Sequence, residues 1–494
     1  MDEYPDTMDF IGLNAPVRME VDIRNLPIEG TLPRDLQGCF FRAVPETTHP
    51  PLFADDTMLS GDGMISRFLF DDGHVDFAIR YVQTPRFKAE REARRALFGR
   101  YRNPFTDDPS VQGIDRAVVN TTPVWHAGRL LMTKEDGRAY EVDPITLDTV
   151  GPWDFHGALK SETMTAHVRI DPETGEMFFF GYEAGGLASE DISYCIADKD
   201  GNLVSEQWFR APYAGMMHDF AISEHFAIFP IFPTTTDLDR LKAGGPHWVH
   251  HQGKESWIGI MPRYGKVEEL RWFKGPPGVS SIHLMNAYED AEGHVNLDMH
   301  IADTVVFPFI RDASKIDIAQ QDIVCSLTRW TFDLSRPENS IAMRDIGPPG
   351  DLPRVRDSDQ GRAYRSAWYL TMDPDAGSPL VSGPTGAAFN CLLRIELGNG
   401  RIESMPLPAR HAIHEPVHVP STEPGHDGWL VAVVDREIHE DELRSELWVI
   451  DAGNVRAGAV AKVKLPIRLR QQVHGWWVPG EELSRSRFPV AGRN

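Results

Sequence analysis

With 494 residues, 41% of them hydrophobic and 25% charged, the chain has ample material for a soluble globular core. Its formal net charge of −23 excludes the basic footprint that nucleic-acid phosphates demand and disfavours an anionic membrane surface as the main partner. No apolar run approaches the roughly 20 residues that span a bilayer.

The N-terminal stretch MDEYPDTMDF is acidic, without the basic and apolar regions of a secretory signal. Cys39, Cys195, Cys325 and Cys391 lie far apart and form no C-x-x-C pair, which reads as reduced, buried thiols in a cytoplasmic protein. Residues 1–30 read as an extended arm. Turn signals then recur at short intervals, among them Asp71-Asp72-Gly73, Ala127-Gly128, Glu292-Gly293, Gly398-Asn399-Gly400 and Asp427-Gly428. Between them lie short runs rich in aromatic and β-branched residues. Val75, Phe77 and Ile79 alternate with polar neighbours, while 177–180 and 429–434 read as fully buried strands. The pattern predicts an all-β fold, a sandwich, barrel or propeller, and the length favours a propeller. No clean repeat gives a blade count. Three segments, 86–100 with Gly99 as its stop, 235–245 and 312–322, read as helical insertions that would cap one face. No low-complexity linker divides the chain, so 1–494 reads as one domain, with a loosely held tail after Pro479.

The stretch from Ala214 to Phe232 predicts two short strands joined by Ser223-Glu224-His225, with His218 at the mouth of the first. A histidine entering an apolar strand is ordinarily a satisfied polar residue at a sheet end. The same picture recurs at His167, His283 and His474, each at the edge of an apolar run. Four such rings from separate strands are a candidate metal-ligand set.

Two local clusters compete with that set. His414-Glu415-Pro416-Val417-His418 fits H-E-x-x-H, but that zinc motif works only on a helix, and Pro416 rejects a helix there. His247, His250 and His251 read as a loop or hairpin tip rather than a metal trap. No Walker loop, dinucleotide turn or G-x-S-x-G elbow is present.

The four widely spaced histidines, with Gly61-Asp62-Gly63-Met64, Asn120-Thr121, Lys134-Glu135-Asp136-Gly137 and His414-Glu415-Pro416, resemble the carotenoid cleavage oxygenase family over about residues 30–480. Tyr101, in the segment 98–104, and Lys134 match the phenol-binding pair of its lignostilbene-cleaving members; isoeugenol-cleaving members share these features. The resemblance implies a seven-bladed β-propeller with ferrous iron, Fe(2+), on its axis under a cap. It assigns His167, His218, His283 and His474 as ligands, and Glu135, Asp351 and Glu415 as carboxylates that orient their rings. Asp351 stands where the family usually has glutamate. Thr121 would restrict an open iron position and Phe307 would wall the substrate channel. Leu59 stands where relatives can carry an aromatic ring.

The implied reaction is dioxygen cleavage of the conjugated double bond of a 4-hydroxystilbene to two aromatic aldehydes, with Tyr101 and Lys134 holding the phenolic oxygen. Isoeugenol-type cleavage to vanillin and apocarotenoid cleavage remain as alternatives on the same fold, and a non-enzymatic scaffold as a third. Relatives imply a homodimer.

Overall fold

A computed structural model describes residues 3–488 apart from 308, 315–322, 337, 377–379, 381–388 and 440–441. Its contacts divide the chain into two units, Met1–Asp154 with Met372–Arg394 and Glu403–Asn494, and Phe155–Thr371 with Ile395–Ile402. Both are built mainly from short antiparallel strands, as the composition predicts.

In the first unit, Val21–Ile23, His74–Tyr81, Asp62–Asp71, Gly38–Glu46 and Gly475–Pro479 form one sheet in that spatial order. The late strand pairs antiparallel with the early one, Gly38 opposite Pro479. The Asp72-Gly73 turn has both residues at positive φ, 48° and 78°, the mirror-image turn whose twist matches the strands it joins. Ala127-Gly128 repeats the device at 49° and 73° between Thr122–His126 and Arg129–Thr133, which continue as a meander through Ala139–Val142 and Thr149–Trp153. A third sheet runs Ile28–Gly30, Ala459–Lys464, Glu442–Asp451, Trp429–His439 and His411–Ile413, with Val417–Val419 also on Trp429–His439. Phe40, Phe68, Phe77, Val431, Val433 and Trp477 interlock as a core between the first and third sheets.

The second unit contains three meanders of four strands each. One runs from Arg169–Ile170 through Met177–Tyr182 and Asp191–Ala197 to Leu203–Arg210. The next joins Ala221–Ile222, Phe226–Ile231, Glu255–Pro262 and Arg271–Pro277, and the third Leu284–Glu289, Val295–Ile301, Ser326–Phe332 and Ile341–Gly347. Every residue of Met177–Tyr182 is buried, which explains its unbroken apolar run.

The insertions depart from expectation in detail. The helix expected over 86–100 is Pro85–Ala93, started by the Thr84 side chain accepting from the Phe87 N–H and stopped by Arg94 at φ 54°, not by Gly99. The second is a shorter helix, Leu238–Lys242, capped by Asp237. Of the third, Arg311–Asp312 is a strand and 315–322 lie outside the described residues. The tail is held further than expected: Gly480–Leu483 is helical, and Leu483 packs in the core with Val478. Among the described residues no helix is long and apolar enough to cross a membrane.

Candidate functional site

The four histidines stand just before strands, as their places at the mouths of apolar runs predict. His283 and His474 immediately precede Leu284–Glu289 and Gly475–Pro479; His167 and His218 precede Arg169–Ile170 and Ala221–Ile222 by a short approach. At a strand entry the ladder has not begun, so the ring is free to turn out of the sheet's alternation. Within the second unit, one ring nitrogen from each of His167, His218 and His283 lies within 4.8 Å of the other two. The Nε2 atoms of His167 and His218 are 3.0 Å apart, and those of His218 and His283 are 3.4 Å apart. A metal bound by imidazoles at about 2.0–2.1 Å places neighbouring ligand nitrogens roughly 3.0–3.4 Å apart. The donor set is therefore spaced for one ion.

Two of the rings are oriented by carboxylates. His474 Nδ1 lies 3.0 Å from Glu415 Oε1, and the Gly475 N–H donates to Glu415 Oε2 at 2.7 Å. His283 Nδ1 lies 2.9 Å from Asp351 Oδ1. An ionised carboxylate only accepts, so each Nδ1 carries the hydrogen and each Nε2 keeps its lone pair for a metal. Burial pushes the Asp351 carboxyl up, but His283, His300 and the Leu352 N–H beside it together outweigh burial and hold it down at about 2. Asp351 reaches the ring directly, despite an arm shorter than glutamate's. The register of Asp351–Arg354 against Ser366–Thr371 breaks between Asp351 and Arg354, and Leu352 sits at φ 55°. This bulge re-aims the strand and supplies the missing length. The third expected carboxylate, Glu135, is buried with Oε2 3.6 Å from the Arg102 guanidinium.

Glu415 owes its position to the backbone that Pro416 imposes. The residues His414-Glu415-Pro416 link the strands His411–Ile413 and Val417–Val419 without a helix, so the two histidines of H-E-x-x-H never share a face. His414 is spent elsewhere: Nε2 donates to Asp435 Oδ2 at 2.7 Å, while Nδ1 accepts from Arg42 Nη2 at 3.2 Å and from the Gln472 N–H at 3.4 Å. His418 donates through Nε2 to the Asp427 carbonyl at 2.8 Å. The other cluster is likewise consumed. His247 pairs with Glu183, His250 bridges Thr234 and the Gly278 carbonyl, and His251 bonds Thr235.

Lys134 is buried, with only 3% of its surface exposed. Its Nζ donates to the Leu59 carbonyl at 3.0 Å and to Asn120 Oδ1 at 3.2 Å, two of its three donors. Burial lowers its pKa. Nζ stands 5.1 Å from the centroid of the Tyr101 ring, so the two meet as a cation over an aromatic face. Burial, with Glu135 nearby, raises the Tyr101 pKa and keeps the phenol protonated. Leu59 thus contributes its backbone carbonyl, which also accepts from Asn120 Nδ2 at 3.0 Å. The Thr121 carbonyl accepts from the His474 N–H at 3.1 Å, which places this threonine beside a candidate ligand. Phe307 packs on the cluster of Ile282, Ala302 and Val306, and Ile282 adjoins His283.

Several residues at the centre escape sequence reasoning. Asp219 and Arg169 pair at 2.6 Å between the histidine-bearing segments; their only signal is adjacency to His218 and His167. Asn120 holds Lys134. His300 is 2% exposed with both ring nitrogens unbonded among the described residues, and burial lowers its pKa to about 4, keeping it neutral next to Asp351 and His283.

Comparison with known proteins follows the same lines. The family model for the retinal pigment epithelial membrane protein matches residues 14–479. The chain is 41% identical to lignostilbene-α,β-dioxygenase isozyme III of Sphingomonas paucimobilis, over 99% of this chain and 100% of that protein. It is 40% identical to isoeugenol monooxygenase of Pseudomonas putida, over 94% of this chain and 97% of that protein. The crystal structure of Pseudomonas brassicacearum lignostilbene dioxygenase superposes with a TM-score of 0.92 at 36% identity, covering 97% of this chain and all of that one.

Proposed function

The chain belongs to the carotenoid cleavage oxygenase family, and from that premise we propose that it is a non-haem Fe(II) dioxygenase of 4-hydroxystilbenes. The reaction is cleavage of the central C=C bond: one alkene and one dioxygen give two aromatic aldehydes, each carbonyl taking one oxygen atom. The observation that carries the reading is the spacing of the ring nitrogens of His167, His218 and His283, within 4.8 Å of one another in one unit, with the His283 ring aimed by Asp351; the family pattern adds His474, whose ring is aimed by Glu415. Neutral imidazoles from His167, His218, His283 and His474 would hold iron, which supplies the redox chemistry with dioxygen and keeps its double positive charge. Glu135 is assigned to the same orienting task by the family pattern. The sequential four-stranded sheets support a single seven-bladed β-propeller domain, with the insertions as a cap; a cytoplasmic homodimer completes the reading.

The remaining steps belong to protein groups. Lys134, with one donor uncommitted among the described residues, donates to a phenolate oxygen and stabilises its charge, and Tyr101 offers its hydroxyl to the same oxygen. The substrate binds as its phenolate, its proton left to bulk water, and the phenolate pushes electron density through the ring into the double bond, making it reactive toward dioxygen. Thr121 and Phe307 narrow what approaches the alkene. Isoeugenol-type phenylpropenes fit the same Tyr101–Lys134 anchor, and the 40% identity to an isoeugenol monooxygenase favours them as a second substrate class.

The test is incubation of the iron-loaded protein with lignostilbene, resveratrol and isoeugenol under ¹⁸O₂, with products read by mass spectrometry. Two aldehydes from lignostilbene, one ¹⁸O in each, are expected. No aldehyde from any of the three by protein carrying one iron per chain overturns the reading, and protein that retains no iron after anaerobic purification points to a scaffold.

A further inference from the structure

Asp219 is 4% exposed, and each of its oxygens is fully engaged. Arg169 Nη2 donates across both, at 2.6 Å to Oδ1 and 2.7 Å to Oδ2. Oδ1 also accepts from the Phe220 N–H at 2.7 Å, and Oδ2 from the Leu284 N–H at 2.9 Å. Arg169 Nε meanwhile donates to the Phe220 carbonyl at 2.8 Å. Arg169 lies two residues after His167, Asp219 directly after His218, and Leu284 directly after His283. One carboxylate therefore fastens the backbone segments carrying three candidate ligands, which are 51 and 65 residues apart in sequence. Charge-assisted bonds of this length are the strong kind.

We propose that Asp219 is a positioning residue of the metal centre, whose carboxylate sets the spacing of His167, His218 and His283. The inference rests on the reading that these histidines bind iron. Asp219 touches neither substrate nor ligand ring; it acts through Arg169 and two backbone N–H groups. Asp219→Asn keeps the shape but removes the charge and, in either orientation, turns its NH2 toward Arg169 Nη2 and one of the Phe220 and Leu284 N–H groups, so two bonds become donor–donor repulsions.

The experiment uses the iron-loaded protein. Release of Fe(II) to a coloured chelator is timed for wild type, Asp219→Asn and the control Asp171→Asn. The control breaks another buried pair of the same unit, Arg263 to Asp171 at 2.6 Å, four residues beyond His167 and taking no part in the tie at Asp219. Cobalt(II)-loaded samples give a second readout, since d–d absorption reports ligand geometry independently of turnover. Iron release is expected to quicken ~10–100-fold in Asp219→Asn, the range for residues that orient ligands, with an altered cobalt spectrum. Asp171→Asn is expected to lower Tm while leaving both readouts unchanged. Should Asp219→Asn not fold, Arg169→Lys, which cannot span the carboxylate and the Phe220 carbonyl together, carries the same expectation. Release within twofold of wild type with an unchanged spectrum overturns the proposal alone. Wild type that binds neither metal overturns the iron reading, and this proposal with it.

Discussion

Replacing Lys134 by methionine separates the anchoring of the phenolate from the integrity of the fold. The ammonium makes two hydrogen bonds, to the Leu59 carbonyl and Asn120 Oδ1. Each acceptor keeps a second donor, Asn120 Nδ2 for the carbonyl and Thr121 Oγ1 for the amide oxygen. Neither is left bare, and the variant no longer bears the cost of burying a cation, a cost expressed in the lowered pKa. The stability change is therefore expected within about 2 kcal/mol. The catalytic loss is larger. A preorganised group facing charge that develops in the reaction contributes about 2.7–4 kcal/mol, or ~10²–10³ in rate. The assay is kcat/KM for lignostilbene on Lys134→Met at matched iron content, with urea unfolding alongside. The 4-O-methyl ether should be a poor substrate for wild type, and the substitution should cost it little further, because both changes delete the same interaction. Activity on the free phenol within threefold of wild type, at full iron, would refute the phenolate role.

Glu415→Gln keeps the size of a side chain that bonds both the His474 ring and the Gly475 N–H, but its amide satisfies at most one of them as acceptor; iron affinity measured by chelator competition should fall ~10–100-fold. Asp351→Glu, which restores the usual family residue, should weaken iron retention rather than improve it, because the bulge at Leu352 already brings the shorter arm to 2.9 Å from the ring; tighter retention would show that the bulge is incidental. Burial, with Glu90 nearby, raises the Asp62 carboxyl to about 7. In the unfolded chain this group ionises near 3.9, so its contribution to stability is full below that pH and is lost as pH rises toward 7. Urea unfolding at pH 4.5 to 8 should show wild type losing stability relative to Asp62→Asn, by up to about 1.4 kcal/mol per pH unit, and levelling off above 7.

The amino-acid sequence by itself determined the parts that rest on local chemistry. Alternation at Val75, Phe77 and Ile79 and the turns at Asp72-Gly73 and Ala127-Gly128 follow from side-chain period and backbone sterics, which act over a few residues. Pro416 excluded a helical zinc motif for the same reason. Apolar flanks singled out the four histidines, and the family pattern named their partners. The helix end at Arg94 rather than Gly99 was not legible, since an arginine at φ 54° bears a strain that only its surroundings justify. Tertiary structure alone decided that Asp351 reaches His283 directly, through a bulge with no sequence mark. It alone spent His247, His250, His251 and His414 on internal hydrogen bonds, and made Asp219 the tie between three segments. Each of these depends on which strands lie side by side, and bonds between groups 50 or more residues apart are set by packing register, which no local rule of period or turn can carry.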